Sequence, residues 1–260
     1  MMQNLKVDRF GVPDELKQKS IDFFDTIEGY FESVRNFIYT DIAAENDKTY
    51  LASRVQITFS QVLLRSIFLN DAAINQLNSG NIIGLYAVLK SLLEVQAVLG
   101  HILHILNSKI TYDEKIHSMA DLHFGARWKG ELRVGDRDIK NILSMFDDSI
   151  KEIDKIFPHL KKKRDMEWNI GEISKSFYEL ICNCGHPNYN AHSMLWDYNP
   201  NHAYQLTTLR DYRRVKIKDF AVYAPAWNVA ITTIWFFSDL IYTHPLIKEF
   251  SGIKSKKYFS

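Results

Sequence analysis

Nineteen consecutive residues without a charge, FAVYAPAWNVAITTIWFFS from Phe220 to Ser238, set the strongest constraint on how this chain can fold. A helix of that length reaches across a bilayer. Arg213, Arg214, Lys216 and Lys218 stand just before it, as basic residues do at a cytoplasmic membrane edge. The same pattern describes a helix buried at the centre of a soluble bundle. Pro225, Asn228, Thr232 and Thr233 dilute its apolar character and no other segment matches it. Burial in a protein core is therefore the expectation, with a single-span membrane protein as the competing reading.

The rest of the chain is written in helical period. Leu16, Ile21, Phe24, Ile27, Phe31, Val34 and Ile38 recur at helical spacing over Asp14 to Tyr39. A second run spans Thr49 to Leu77 and stops at Ser79-Gly80, where glycine suits a helix C-terminus. A third begins after Asn81, a fitting N-cap, and continues to Leu106. Shorter helices are expected over Thr111 to Arg127, Gly135 to Phe157 and Ile170 to Gly185, the last ended by Gly185 and Pro187. Only 11 glycines and 6 prolines occur in 260 residues, which disfavours a turn-rich sandwich or barrel. The expected fold is all-α, a single domain of about seven helices with the apolar helix from Phe220 to Tyr242 near its middle. Residues 1–13 read as an N-terminal arm, 187–215 as a structured loop with a short hairpin around YQLTTLRDYRRVKI, and 248–260 as a basic tail.

Charge and cysteine usage narrow the setting. With 32 Lys and Arg against 31 Asp and Glu, the net charge of +1 predicts no strongly basic or acidic partner. Cys182 and Cys184 are the only cysteines and sit too close for a relaxed disulfide within a helix, so a reducing, cytoplasmic location is expected. The opening MMQNLKVDRFGVPDE lacks an apolar segment, so no secretory signal is expected. A homodimer is compatible with all of this. RNA contact would fall to the basic stretch from Arg210 to Lys218, with Tyr204, Tyr212 and Trp227 as stacking groups, although solvated loops explain such a stretch as well.

Polar groups intrude on the third apolar run. At about 100° per residue, Lys90, Glu94 and His101 fall within about 40° of one another, with His104 at the edge of the stripe. A buried carboxylate needs a partner, so Glu94 is expected to pair with Lys90 or with a histidine from another helix. The stretch YELICNCGHPNYNAH supplies one: Tyr178, Cys182 and His186 are spaced to share one helix face. Cys184 lies about 200° from Cys182, which removes it as a co-ligand and weakens a zinc reading. Glu94 and His186 are the candidate acid/base pair, and Lys90, His101, Tyr178 and Cys182 complete a ligand-binding or structural cluster. Glu114-x-x-His117 has di-iron spacing but no second copy. No dinucleotide, phosphate-loop or serine-hydrolase motif is present, so neither a metal nor a cofactor is expected.

With Lys90-Ser-Leu-Leu-Glu94 on one helix and Tyr178-x-x-x-Cys182-x-x-x-His186 on a later one, the chain resembles an uncharacterised all-helical bacterial family. That family carries a basic-x-x-x-Glu step and a later Tyr-x-x-x-small-x-x-x-His step. The resemblance spans residues 50–240 and implies a bundle in which these side chains meet near the centre. The helical layout is also similar to HEPN-type ribonucleases, but no histidine here follows an arginine at the distance their motif requires. The resulting expectation is a helical binding or regulatory protein, in a bacterial stress or defence setting. The alternative is a ribonuclease or other hydrolase using His186 and Glu94.

Overall fold

The computed structural model describes residues 14–35, 46–124, 142–156, 170–185, 196–198, 206–209 and 217–251. The fold is all-α. Its helices are α1 (Asp14–Arg35), α2 (Asp47–Asn78), α3 (Ile82–Asn107), α4 (Tyr112–Phe124), α5 (Ile142–Ile156), α6 (Ile170–Gly185), α7 (Ile217–Thr243) and α8 (Pro245–Ser251). Between α6 and α7, strands β1 (Trp196–Tyr198) and β2 (Leu206–Leu209) pair antiparallel with an irregularity at Asp197/Tyr198. The hairpin expected within residues 204–217 is displaced: β2 falls in that stretch, but its partner begins ten residues earlier, at Trp196.

Local sequence explains where the helices stop. Asn46 and Thr49 form a reciprocal capping box at the start of α2, with bonds of 3.0 and 2.8 Å. At its end Gly80 takes φ 73°, and the Asn81 amide donates back to the Gln76 carbonyl at 2.9 Å. The side chain of Asn81 then accepts from the Gly84 amide, so one residue closes α2 and opens α3. Such a short connection makes α2 and α3 an antiparallel hairpin. Thr111 and Glu114 cap α4 in the same reciprocal way. The Glu114-x-x-His117 spacing is therefore a helix start, with Glu114 bound to Thr111 and His117 to its own helix at Asp113.

Helix α3 is surrounded. It packs against α2, α4, α5, α6 and α7, and sixteen of its 26 residues are buried. Apolar residues on nearly every side leave it no stable alternative in water. Among the described residues it is also the one helix long and apolar enough to cross a membrane, although neighbours cover much of it. The uncharged stretch forms most of α7, which lies beside α3 and α1 with Tyr223, Trp227, Ile231, Ile234 and Phe237 in the core. The buried apolar residues of all eight described helices join one continuous cluster.

Two readings of the C-terminal third change. Trp227 is wholly buried, its indole N–H donating to Asn70 Oδ1 at 3.0 Å and its ring in a T-shaped contact with Phe24. It is not a surface stacking group for RNA. His244-Pro245 begins a helix instead of an exit. Proline fits the first helical position, and the Leu246 amide donates to His244 Nδ1 at 3.2 Å. Lys48 pairs with Glu249 at 2.7 Å and ties this helix to α2.

Gln96 is the polar misfit of the core. It is fully buried, and neither its amide nitrogen nor its oxygen has a hydrogen-bond partner among the described residues. Replacing it with a side chain of similar shape removes that desolvation penalty, so Gln96→Met is expected to stabilise the protein by about 1–3 kcal/mol. Chemical denaturation measures this directly; a less stable variant would show that the amide has a partner.

Candidate functional site

The polar stripe of α3 is divided between two partner helices. At its N-terminal end, Lys90 Nζ lies 3.9 Å from Glu94 Oε1 on the same helix, and both side chains are partly exposed. Tyr178 on α6 donates its hydroxyl to that same Glu94 oxygen at 3.3 Å. The Lys90 ammonium sits 5.9 Å from the centre of the Tyr178 ring, and Phe146 packs against that ring at 5.0 Å. Burial holds the Tyr178 phenol well above its ordinary range, and the neighbouring Glu94 carboxylate and Cys182 add to the effect. It is a hydrogen-bond donor at any physiological pH. Cys182 is a free, partly buried thiol one turn further along α6.

His101 belongs elsewhere. The sequence groups it with Lys90 and Glu94, but its Nδ1 lies 2.8 Å from Asp148 Oδ2 on α5. One turn further along, His104 Nδ1 lies 2.8 Å from Glu152 Oε1, and Asn107 Nδ2 donates to Glu152 Oε2 at 2.8 Å. His104 Nε2 also stands 3.6 Å from Asp148 Oδ1, so its ring bridges the two acids. Both carboxylates are 1% exposed. Lys151 and Lys155, with their ammonium groups toward water, bind Asp148 and Glu152 from the same helix. The i, i+3 pair of histidines on α3 thus meets the i, i+4 pair of acids on α5 in a ladder. Helical phase defines the stripe, but the neighbour along that stripe changes from α6 to α5.

A close approach of the two helices makes this ladder possible. Ser149 donates its hydroxyl to the carbonyls of Met145 and Ala97 at 2.9 and 3.2 Å. A Cβ placed on Gly100 would come within 2.8 Å of the Ser149 Cα. Glycine is needed here for space.

The geometry limits the chemistry. A His–Asp pair can orient a ring for proton transfer, but His101 is only 7% exposed and the nearby Ser149 hydroxyl is committed to backbone carbonyls. An open groove of about 620 Å³ lies between α5 and α6, lined by Asp147, Ile150, Lys151, Glu172, Lys175, Ser176 and Glu179. His101, Asp148, Glu94 and Tyr178 do not line it. Among the described residues no group of three or more His, Cys, Asp or Glu side chains is placed to hold a metal ion. His186, the expected partner of Glu94, and His192 lie outside the described residues, as does the side chain of Cys184.

Asp148, Glu152 and Asn107 were missed from sequence. Their signal was present as acids at i, i+4 bordering the apolar face of α5, where Met145, Phe146 and Ile153 point inward. No family model, curated protein or solved structure matches this chain.

Two consequences can be measured. Burial pushes the Glu152 carboxyl up, but hydrogen bonds from Lys155, Asn107 and His104 outweigh it and hold the group below its ordinary 4.5. The stability it contributes is therefore complete above pH 4.5 and lost as pH falls through the lower folded-state value. Glu152→Gln should lower the melting temperature at neutral pH and flatten the acid limb of the stability profile. A mutant and wild type with parallel pH profiles would contradict this. Gly100→Ala should destabilise by about 1–3 kcal/mol through overpacking against Ser149, which denaturant titration will show.

Proposed function

We propose that this chain is a non-enzymatic helical binding or regulatory protein in which the polar groups of α3 set helix register. One observation carries the reading. Asp148 and Glu152 are almost entirely buried, yet each carboxylate is bound by a histidine from α3 and a lysine from its own helix. A catalytic acid or base needs an approach for substrate or water, and these carboxylates are enclosed by partners from α3 and from their own helix. Breaking a buried pair by removing one partner is far costlier than losing an exposed one. The arrangement can therefore tell a correct packing from a slipped one: a shift of one residue along α3 would leave both acids without their histidines.

The half-exposed group of Lys90, Glu94 and Tyr178 is the part of the stripe that a partner or ligand could reach. Lys90 and Glu94 are about 30% exposed, and Tyr178 offers a hydroxyl beside them. Nothing among the described residues favours the hydrolase reading, since Glu94 has Lys90 and Tyr178 as its neighbours and His186 lies outside them.

Asp148→Asn and His101→Leu test this proposal. Each should lower the melting temperature markedly, by about 3–5 kcal/mol of stability for a buried partner removed alone. The double variant should cost less than the two singles combined, because the two sites act as one interaction. Turnover of RNA or a phosphodiester by wild type that vanishes in either variant with the melting temperature unchanged would establish catalysis and sink the proposal.

A further inference from the structure

The outward face of α2 carries a repeat that the described residues leave largely uncovered. Tyr50, Arg54, Ile57, Gln61, Leu64, Phe68, Asp71 and Asn75 follow one another at alternating steps of four and three residues, the spacing of a helix–helix seam. The stripe runs roughly 37 Å along the helix. Phe68 is 64% exposed and Ile57 43%, both high for large apolar side chains, and Leu64 between them is only partly covered. The opposite face of α2, with Leu51, Val55, Phe59, Leu63, Ile67 and Ile74, is buried in the core. The helix is therefore apolar on two sides, and only one of them is covered by the described chain.

The order of residues in the seam points to what covers the other. About the midpoint between Val62 and Leu63 the seam reads the same in complementary form from both ends. Ile57 and Phe68 stand equally far from that point, as do Arg54 and Asp71, Gln61 and Leu64, and Tyr50 and Asn75. We propose that a second copy of this chain docks here, α2 against α2 in antiparallel orientation, about a two-fold axis at that midpoint. Ile57 of each copy then meets Phe68 of the other, and Arg54 of each meets Asp71 of the other at the two ends. Parallel pairing would set arginine against arginine and aspartate against aspartate, so the charges select the antiparallel form.

Arg54 is prepared for this contact. Arg54 Nε and Nη2 donate to the Tyr50 hydroxyl at 2.9 and 2.6 Å, and its guanidinium lies over the Tyr50 ring at 5.0 Å. That holds the fork in place, and a guanidinium has five N–H groups, so donors remain for a carboxylate. On the other end, Asp71 is partly exposed; its Oδ1 is buried, with no hydrogen-bond partner among the described residues, so the contact falls to the rest of the carboxylate. Gln61, placed beside the axis in an otherwise apolar centre, is the kind of polar residue that fixes register in such seams. The dimer goes beyond the register role of the α3–α5 ladder and does not rest on it.

Light scattering and sedimentation of the full chain test the dimer. Wild type should be dimeric, with Phe68→Ser shifting it to monomer while the variant keeps the helical circular dichroism of the folded chain, because Phe68 is 64% exposed within one copy. Arg54→Asp or Asp71→Arg alone should each weaken association by roughly tenfold in Kd, since two symmetric contacts turn repulsive at once. The double variant R54D/D71R should recover it, with the pair restored in reverse. The circular dichroism of each variant distinguishes lost association from lost folding. A wild type that stays monomeric at roughly 100 µM, a dimer indifferent to Phe68→Ser, or a double variant as weak as the singles would each overturn the proposal. So would a monomer that instead binds lipid vesicles through this face.

Discussion

Burial of α3 on nearly all sides is the constraint from which the rest of the bundle follows. A helix this apolar loses on the order of 1.5–3 kcal/mol for each large side chain left in water, so its neighbours are arranged to enclose it. Helix α2 is brought alongside by a connection only a few residues long, closed and reopened by Asn81. Helices α5, α6 and α7 then cover the faces that α2 leaves open. The uncharged stretch of α7 is explained in this setting, because one of its faces is the wall of the enclosure, with Trp227 anchored to Asn70 across it.

Enclosing α3 forces a decision about its polar residues, and the protein resolves each differently. His101 and His104 are matched by acids on α5, whose lysines keep a link to solvent. Lys90 and Glu94 stay near the surface and share Tyr178. Gln96 is buried with no described partner, and it stands as a pure expense beside the others. The tight approach at Gly100 and Ser149 brings the α3–α5 ladder within hydrogen-bonding distance. Backbone proximity and side-chain pairing are therefore one feature: a Cβ at position 100 would push apart the same helices that the histidines and acids join.

Helix α2 shows a second use of periodicity. Its inward stripe is read by the core of its own chain, and its outward stripe keeps a heptad spacing that the described fold leaves exposed. The two faces differ in character. Apolar residues dominate the inner one, whereas the outer one ends in opposite charges placed symmetrically about its centre, as suits a surface that matches itself.

Much of the fold was legible because helical period, caps and glycine stops are local. The starts at Asn46, Asn81 and Thr111 are set by side chains that bond amides three residues away. His244-Pro245 shows the limit of that logic, since the same dipeptide serves an exit or a helix start, and the docking of Glu249 on Lys48 accompanies the second. The polar stripe of α3 was legible as a phase relation among Lys90, Glu94, His101 and His104. Its partners were not, because which helix lies across the stripe at each level depends on how α5 and α6 cross α3. Sequence alone determined that this chain is helical, where most of its helices begin, and which residues of α3 are out of place in a core. Tertiary structure alone decided that His101 meets Asp148 and not Glu94, that Trp227 is interior, and that His101 is sealed while Lys90 and Glu94 stay near the surface. The physical reason is range: caps and periodicity act over one helical turn, whereas the pairing of buried charges is settled by the packing of segments nearly fifty residues apart.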